Sequence, residues 1–144
     1  MDVKVNPCIG MDEPYFYRNK IQMPFGKDNK GNPYCGFYKA STHVIVPIEV
    51  CYIEDKKAEH ILSSIKSLLK SFKIEPYNED ERWGILRHVL IKTSFYKQEI
   101  MVVLVTAVDS FPSRNNFVKA LLKLCPEITT VVQNINSRST NVIL

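Results

Sequence analysis

The chain has 144 residues, which is enough for one domain whose core needs neither disulfides nor metals to hold it together. Hydrophobic residues make up 45% and charged residues 24%, and this composition excludes an intrinsically disordered chain. The net charge of +4 permits a polyanionic partner, although an ordinary domain with a slight lysine excess explains it equally well.

The four cysteines, Cys8, Cys35, Cys51 and Cys125, lack the close spacing of a metal-binding motif. The N-terminus shows no basic and then apolar run of a signal peptide, and no stretch approaches the roughly 20 apolar residues of a membrane span. We therefore expect reduced thiols, a cytoplasmic location and no membrane partner.

In chain order, an extended leader over residues 1–16 comes first, followed by a short strand over 17–24. The turn-forming stretch GKDNKGNPYCG, residues 26–36, predicts a hairpin loop. Residues 37–50 are rich in β-branched side chains and predict the returning strand. Pro47 lacks an N–H group, so this strand is expected at a sheet edge or with a bulge.

The clearest helix is predicted over residues 54–72, and Pro76 prevents its continuation. Apolar residues at three- and four-residue steps give it one apolar face, with lysines and serines opposite. The apolar face consists of Ala58, Ile61, Leu62, Ile65, Leu68, Leu69 and Phe72.

Two strands joined by a short turn follow, over residues 84–95 and 100–108. The second is apolar on both faces, which predicts a position inside the sheet. Ser113 is expected to cap a shorter second helix that ends before Pro126. Residues 128–135 form the last full strand.

From residue 37 the elements follow the order β-α-β-β-α-β, the split βαβ arrangement of ferredoxin-like folds. We therefore predict an α+β fold with an antiparallel sheet, an N-terminal β-hairpin and the helices mainly on one face. Either the leader hairpin or something outside the chain must cover the other face. The predicted division is an extended leader (1–16), a central α/β domain (17–136) and the start of a truncated further domain (137–144). The last segment is assigned to a further domain because a strand at 141–144 without a partner cannot offset the entropy lost on ordering.

The sequence offers little for catalysis. His43, His60 and His88 lie far apart, and no Gly-rich phosphate loop, HExxH or GxSxG motif is present. A structural role is favoured for His88, although it could face solvent or a partner. Asp80 and Glu81 are most simply a solvated turn. We predict no catalytic residue in the chain.

Two groups of side chains suggest binding instead. In the first, Tyr15, Phe16 and Tyr17 precede Arg18 and Lys20, and aromatics interleaved with cations can stack on bases and neutralise phosphates. The alternative is that a tyrosine packs on the sheet while Arg18 pairs with an acid. The second group surrounds one hairpin, but neighbouring strand residues point to opposite faces, which argues against a single patch. It consists of Arg82, Trp83, Arg87, His88, Lys92 and Lys97.

Five stretches carry a resemblance to a known family: YRNKIQMPFG, THVIVPIEVC, PYNEDERWGILRHVLIKTS, MVVLVTA and ITTVVQNINSRSTNVIL. In this order they resemble the central portion of bacterial SAM-dependent RNA uracil-5-methyltransferases, which make 5-methyluridine in ribosomal or transfer RNA. The resemblance runs from about Pro7 to Leu144. It implies a central domain between an N-terminal oligonucleotide-binding barrel and a C-terminal Rossmann-like domain that binds SAM and carries the catalytic residues.

The resemblance also implies two sets of site residues. Tyr17, Arg18, Lys20 and Gln22 would belong to the face presented to RNA, although some family members carry arginine at the position of Gln22. Cys51 matches the fourth ligand of a [4Fe–4S] cluster that many ribosomal-RNA members bind. The other three cysteines would precede Met1, so this chain alone is expected to hold neither the cluster nor SAM.

These observations give two functional hypotheses. In the first, the chain is the RNA-positioning central domain of a SAM-dependent 23S rRNA uracil-5-methyltransferase and is inactive alone. Its partners would be RNA and the remaining domains of the same polypeptide. In the second, it is a stand-alone ferredoxin-like RNA-binding or regulatory module, which would bind structured RNA tightly by itself.

Overall fold

A computed structural model describes residues 3–138 of the chain. Within these residues, six strands form one sheet in the order β3-β2-β1-β4-β5-β6. All neighbouring strands are antiparallel except β5 and β6, which are parallel. The elements are β1 (Lys20–Lys27), β2 (Pro33–Tyr38), β3 (Ile45–Pro47), α1 (Lys56–Phe72), β4 (Leu86–Thr93), β5 (Ile100–Thr106), α2 (Arg114–Leu124) and β6 (Ile128–Ile135).

The two helices share one hydrophobic core with the sheet. The side chain of Asp55 caps α1 by accepting a hydrogen bond from the Lys57 N–H, and Lys73 ends the helix in a left-handed conformation. The predicted apolar face of α1 is buried apart from the partly buried Phe72, and Phe117 and Leu121 of α2 join the same core. Both helices therefore cover the same face of the sheet, as predicted.

Several local predictions are confirmed. The N-terminal β-hairpin is formed by β1 and β2, although β2 begins at Pro33, inside the predicted loop over residues 26–36. The strand β5 lies inside the sheet between β4 and β6. Pro47 lies at the end of the edge strand β3. Ser113 occupies the N-cap position of α2, but its side chain makes no capping hydrogen bond within the described range; its carbonyl accepts from the Phe117 N–H instead.

The ferredoxin-like strand order is not confirmed, and the prediction of an antiparallel sheet is wrong for β5 and β6, which are parallel because α2 connects them as a crossover. The strand before α1, β3, pairs with β2 at the sheet edge, and β1 pairs with β4. The predicted long strand over 37–50 is broken by a turn at 39–44, where the Lys39 carbonyl accepts hydrogen bonds from the N–H and hydroxyl of Thr42. Because β3 is only three residues long, it cannot run across the sheet centre.

The second face of the sheet carries a smaller buried cluster, Leu90, Val103 and Val105. The β1–β2 hairpin extends the sheet as further strands, so it does not form the covering layer that was one of the two alternatives for this face. The strand predicted at 141–144 lies outside the described residues, and the proposed domain division stays a prediction. No helix within residues 3–138 is long and apolar enough to cross a membrane.

Candidate functional site

A cleft with a volume of about 910 Å³ opens where β4 begins. Its walls are the turn at 39–44, Glu79 and Asp80 from the loop before β4, and side chains of β1, β2 and β4. The strand side chains are Gln22, Tyr38, Arg87 and His88. The cleft therefore brings together residues from four separate parts of the chain.

A β-bulge places two consecutive residues of β4 in this cleft. Leu86 pairs with Thr106 and His88 with Val105, so Arg87 is the extra residue of the bulge. The prediction that Arg87 and His88 must point to opposite faces is wrong at this position, because a bulge interrupts the strict alternation of a strand. Both side chains line the cleft.

Arg87 is fully engaged by its neighbours. Its guanidinium forms a paired contact with the Glu79 carboxylate, through Nε to Oε1 and Nη2 to Oε2, each at 2.8 Å. Nη1 donates to the carbonyls of Asn136 and Arg138 at 2.9 Å, and the cation lies 5.2 Å from the Tyr77 ring centre. Arg87 is only 3% exposed, so its role is to hold the loop, β4 and the chain after β6 together.

His88 has a different environment. It is 3% exposed, and neither ring nitrogen has a hydrogen-bond partner among residues 3–138. Burial, and then the nearby Arg87 charge, lower the pKa of His88 to about 4. The imidazole is therefore neutral at physiological pH, with one donor and one acceptor available.

Tyr38 packs edge-on against two imidazoles, with its ring centre 5.9 Å from those of both His43 and His88. Burial, and then the Glu79 charge, raise the pKa of Tyr38 to about 12, so its hydroxyl stays protonated. At the rim, His43 Nδ1 lies 2.7 Å from Asp80 Oδ1. The inner wall is thus aromatic and uncharged, while charged groups lie around it.

Two of the residues predicted to contact RNA, Lys20 and Gln22, lie on the face of the sheet that contains this cleft. Lys20 and Gln22 are two positions apart on β1, so both side chains point to the second face of the sheet. Lys20 lies directly opposite Lys92 on β4, and Gln22 lies opposite Leu90 and lines the cleft. The structure therefore places two cations and the cleft along one face.

The other two predicted residues lie nearer to the segment before α1. The Arg18 N–H donates to the Ile53 carbonyl at 2.9 Å. Burial raises the pKa of the Glu54 carboxyl, and the Arg18 charge partly opposes that shift. Glu54 Oε1 has no hydrogen-bond partner among the described residues, so the alternative in which Arg18 pairs with an acid is not confirmed. Tyr17 is 47% exposed.

An aromatic cluster that the sequence did not predict lies beside them. Tyr15, Phe16 and Tyr52 have ring centres 6.3–6.4 Å apart, and the Lys56 ammonium lies 4.4 Å from the Phe16 ring centre. The Phe16 N–H donates to the Tyr52 carbonyl, and this pairing between distant segments creates the cluster. Only knowledge of that pairing could have revealed it.

Cys51 is partly buried and unpaired. The described residues contain one group of three potential metal ligands, His60, Cys125 and Glu127, and Cys51 is not among them. A [4Fe–4S] cluster is held by four cysteine thiolates, so the described residues do not fit such a cluster by themselves. Cys125 is a buried helix-end residue whose thiol donates to Ser64 Oγ, and burial raises the pKa of that thiol.

Comparison with known proteins gives relatives over almost the whole chain, although no protein-family model matches. The chain is 38% identical over 144 residues to an uncharacterized RNA methyltransferase of Clostridium tetani and 41% identical over 142 residues to one of Clostridium acetobutylicum. It is 35% identical over 141 residues to one of Staphylococcus aureus. The matches cover 98–100% of this chain but only 31% of each relative's length.

Among solved structures, the chain resembles the tRNA (uracil-54, C5)-methyltransferase of Pyrococcus abyssi in complex with S-adenosyl-L-homocysteine. The TM-score is 0.72, with 21% sequence identity over 92% of this chain and 30% of that one. At this identity the likeness establishes the fold alone. The curated relatives are named as RNA methyltransferases, and the chain is similar to 31% of their length.

Proposed function

We propose that this chain is the RNA-positioning central domain of a cytoplasmic, SAM-dependent uracil-5-methyltransferase that acts on 23S ribosomal RNA. The supporting observation is the second face of the sheet, where Lys20, Lys92 and Gln22 lead to the cleft. SAM binding and the chemical steps belong to the remaining domains of the longer polypeptide, which are the second partner of this domain.

The lysine pair favours a polyanion. Lys20 and Lys92 face each other across two antiparallel strands, and like charges in that position repel. Both side chains are exposed, and a phosphate between them would remove the repulsion. Such contacts fix the position of RNA without reading its sequence, which is the role expected of a positioning domain.

The chemistry of the target explains why RNA binding and methyl transfer are assigned to different domains. The C5 atom of uracil is reached only when the base leaves its stack, which favours loop or single-stranded RNA. Holding that RNA requires phosphate contacts and space for unstacked nucleotides, and the exposed Lys20 and Lys92 together with the cleft support this role for the second face. The residues of this chain therefore bind and orient RNA, and they take no part in methyl transfer.

A salt-dependent binding titration with single-stranded RNA tests the proposal. One phosphate held on a single strand contributes about 0.7 to the steepness of log affinity against log salt, so Lys20→Ala with Lys92→Ala, which removes the phosphate held between the two lysines, should reduce the steepness by about 0.7. The matched control is Lys119→Ala with Lys123→Ala, which removes the same charge from exposed positions on α2. Equal slopes for both double variants would contradict the proposed RNA face.

The affinity of the chain by itself separates the two functional hypotheses. A positioning domain should bind structured RNA no more tightly than the roughly 10⁻⁴–10⁻⁶ M of non-specific binding. A stand-alone RNA-binding module should bind at least one structured RNA well below that range. Tight and selective binding by the 144-residue chain would therefore favour the second hypothesis.

The proposal for ribosomal RNA includes Cys51 as one ligand of a [4Fe–4S] cluster in the longer protein, with three cysteines supplied from outside this chain. Its support is that the leader pairs with Tyr52 through Phe16, so the chain before Phe16 departs close to Cys51. In a longer protein that includes the preceding segment, Cys51→Ser should abolish bound iron and sulfide, whereas Cys8→Ser should not. Retention of the cluster in Cys51→Ser would refute this ligand assignment.

A further inference from the structure

His88 lines the cleft with an unused hydrogen-bonding capacity. Both ring nitrogens are buried, and neither has a partner in the part of the chain that the structure describes. Buried polar groups in proteins are nearly always paired, because an unpaired one forfeits its hydrogen bonds to water. An exception in the wall of a cleft points to a ligand that supplies the missing partners.

The surroundings of His88 restrict the chemistry of that ligand. The positive charge of Arg87 is neutralised by Glu79, and Lys39 and Asp80 in the cleft wall carry opposite charges, so the wall has no net charge that would select an anion. The remaining inner groups are the neutral imidazole, the Tyr38 ring and hydroxyl, and the Gln22 amide. Each of these groups offers a hydrogen-bond donor and an acceptor close to aromatic rings, and this combination recognises a flat heterocycle.

We propose that the cleft binds one unpaired nucleobase of the RNA, hydrogen-bonded by His88 and Gln22 and packed against Tyr38. This inference rests on the proposed function, because the phosphate contacts of Lys20 and Lys92 bring the RNA strand to the cleft. The volume of about 910 Å³ is ample for a base with part of its ribose. The cleft would thereby hold a nucleotide that has left the RNA stack.

Entry of the base requires a local movement. The His88 nitrogens are fully covered, so the Tyr38 ring or the turn at 39–44 must shift before a base can reach them. The turn joins β2 to β3, a three-residue edge strand whose one partner strand among residues 3–138 is β2. Short edge pairings are among the least stable parts of a sheet, so this movement does not disturb the core.

The test compares RNA with its base-free backbone. Homopolymeric oligoribonucleotides of each of the four bases are titrated against the 144-residue chain, beside a ribose-phosphate oligomer of equal length. At least one of the four should bind about 5- to 30-fold more tightly than the base-free oligomer, the effect expected from one or two net hydrogen bonds. His88→Phe should abolish that preference, and His60→Phe, an exposed histidine on α1, should keep it.

A second variant and a spectroscopic measurement distinguish loss of the base site from misfolding of the His88→Phe variant. Gln22→Leu should also reduce the preference, and the imidazole ¹⁵N resonances of His88 should shift with a nucleoside monophosphate but not with ribose 5-phosphate. Preserved preference in His88→Phe, or equal shifts from both small molecules, would overturn the nucleobase site. If the nucleobase site is overturned but Lys20→Ala with Lys92→Ala still reduces the salt dependence of RNA binding, the proposed function stands. If the two lysines make no difference to the salt dependence, the proposed function itself is contradicted.

Discussion

Replacing His88 by phenylalanine should stabilise the folded chain. The substitution keeps a flat ring against Tyr38 but removes two buried nitrogens that have no partner among the described residues. An unsatisfied buried polar group costs about 1–3 kcal/mol, and a larger ring in a packed site costs a comparable amount. Because two unsatisfied nitrogens are removed and only one ring is enlarged, we expect a net gain of about 1 kcal/mol near neutral pH.

The pH dependence of this difference gives a sharper expectation. The pKa of His88 is about 4 in the folded chain, compared with 6.5 for an unperturbed histidine. Between these values the unfolded chain binds a proton that the folded chain does not, so wild-type stability falls as the pH falls through this window. At about pH 5 the loss is about 2 kcal/mol, since each pH unit contributes about 1.4 kcal/mol.

Urea unfolding followed by circular dichroism at about pH 7.5 and about pH 5 measures the effect. The advantage of His88→Phe over wild type should widen by about 2 kcal/mol at the lower pH. Glu54, whose pKa is raised by burial, titrates with the opposite sign, but it is present in both proteins and cancels in the comparison. A constant advantage at both pH values would refute the burial of a neutral imidazole at this position. His60→Phe serves as the control, because that ring is exposed.

Two further predictions concern the framework of the cleft. Glu79→Gln leaves the buried Arg87 guanidinium without its counter-ion, so the free energy of unfolding should fall by about 3–5 kcal/mol in urea titrations; a loss below about 1 kcal/mol, the range of surface pairs, would contradict this. Gly84→Ala should lower it by about 1–3 kcal/mol, because Gly84 has φ +117° and a Cβ would lie 2.4 Å from the Pro76 carbonyl oxygen. Gly10→Ala, with nothing within 4 Å of its Cβ, should leave the free energy of unfolding almost unchanged, and an equal loss in both variants would contradict the steric argument.

The elements that the sequence predicted well depend on local pattern. The apolar stripe of α1 requires only its own residues, and the last strand begins and ends at the predicted residues, Ile128 and Ile135. The strand over 37–50 was predicted too long because its β-branched residues favour extended structure whether or not a turn interrupts them. Ser41 and Thr42 were the available sign of that turn, since hydroxyl side chains bond to nearby backbone groups.

The cleft could not be predicted, because it depends on pairing between distant segments. The bulge at Arg87 exists only in relation to β5, and the wall at 39–44 is held in place by β2 and β3. On a strand that alternates normally, Arg87 and His88 would lie on opposite faces, which is why the sequence argued against a shared site. The resemblance agrees with the curated relatives, which are named as RNA methyltransferases, and Gln22 is the residue it singled out that lines the cleft.

The spacing of the two halves of the proposed RNA site gives a final test of their independence. His88 and Lys92 are four residues apart on β4, a separation of about 13 Å at about 3.3 Å per residue. Residues this far apart without shared partners affect binding additively to within about 0.5 kcal/mol. The loss of RNA affinity in Lys92→Ala combined with His88→Phe should therefore equal the sum of the two single losses. A double variant no weaker than either single variant would mean that both changes disrupt one common feature, and it would exclude a separate base site beside a separate phosphate site.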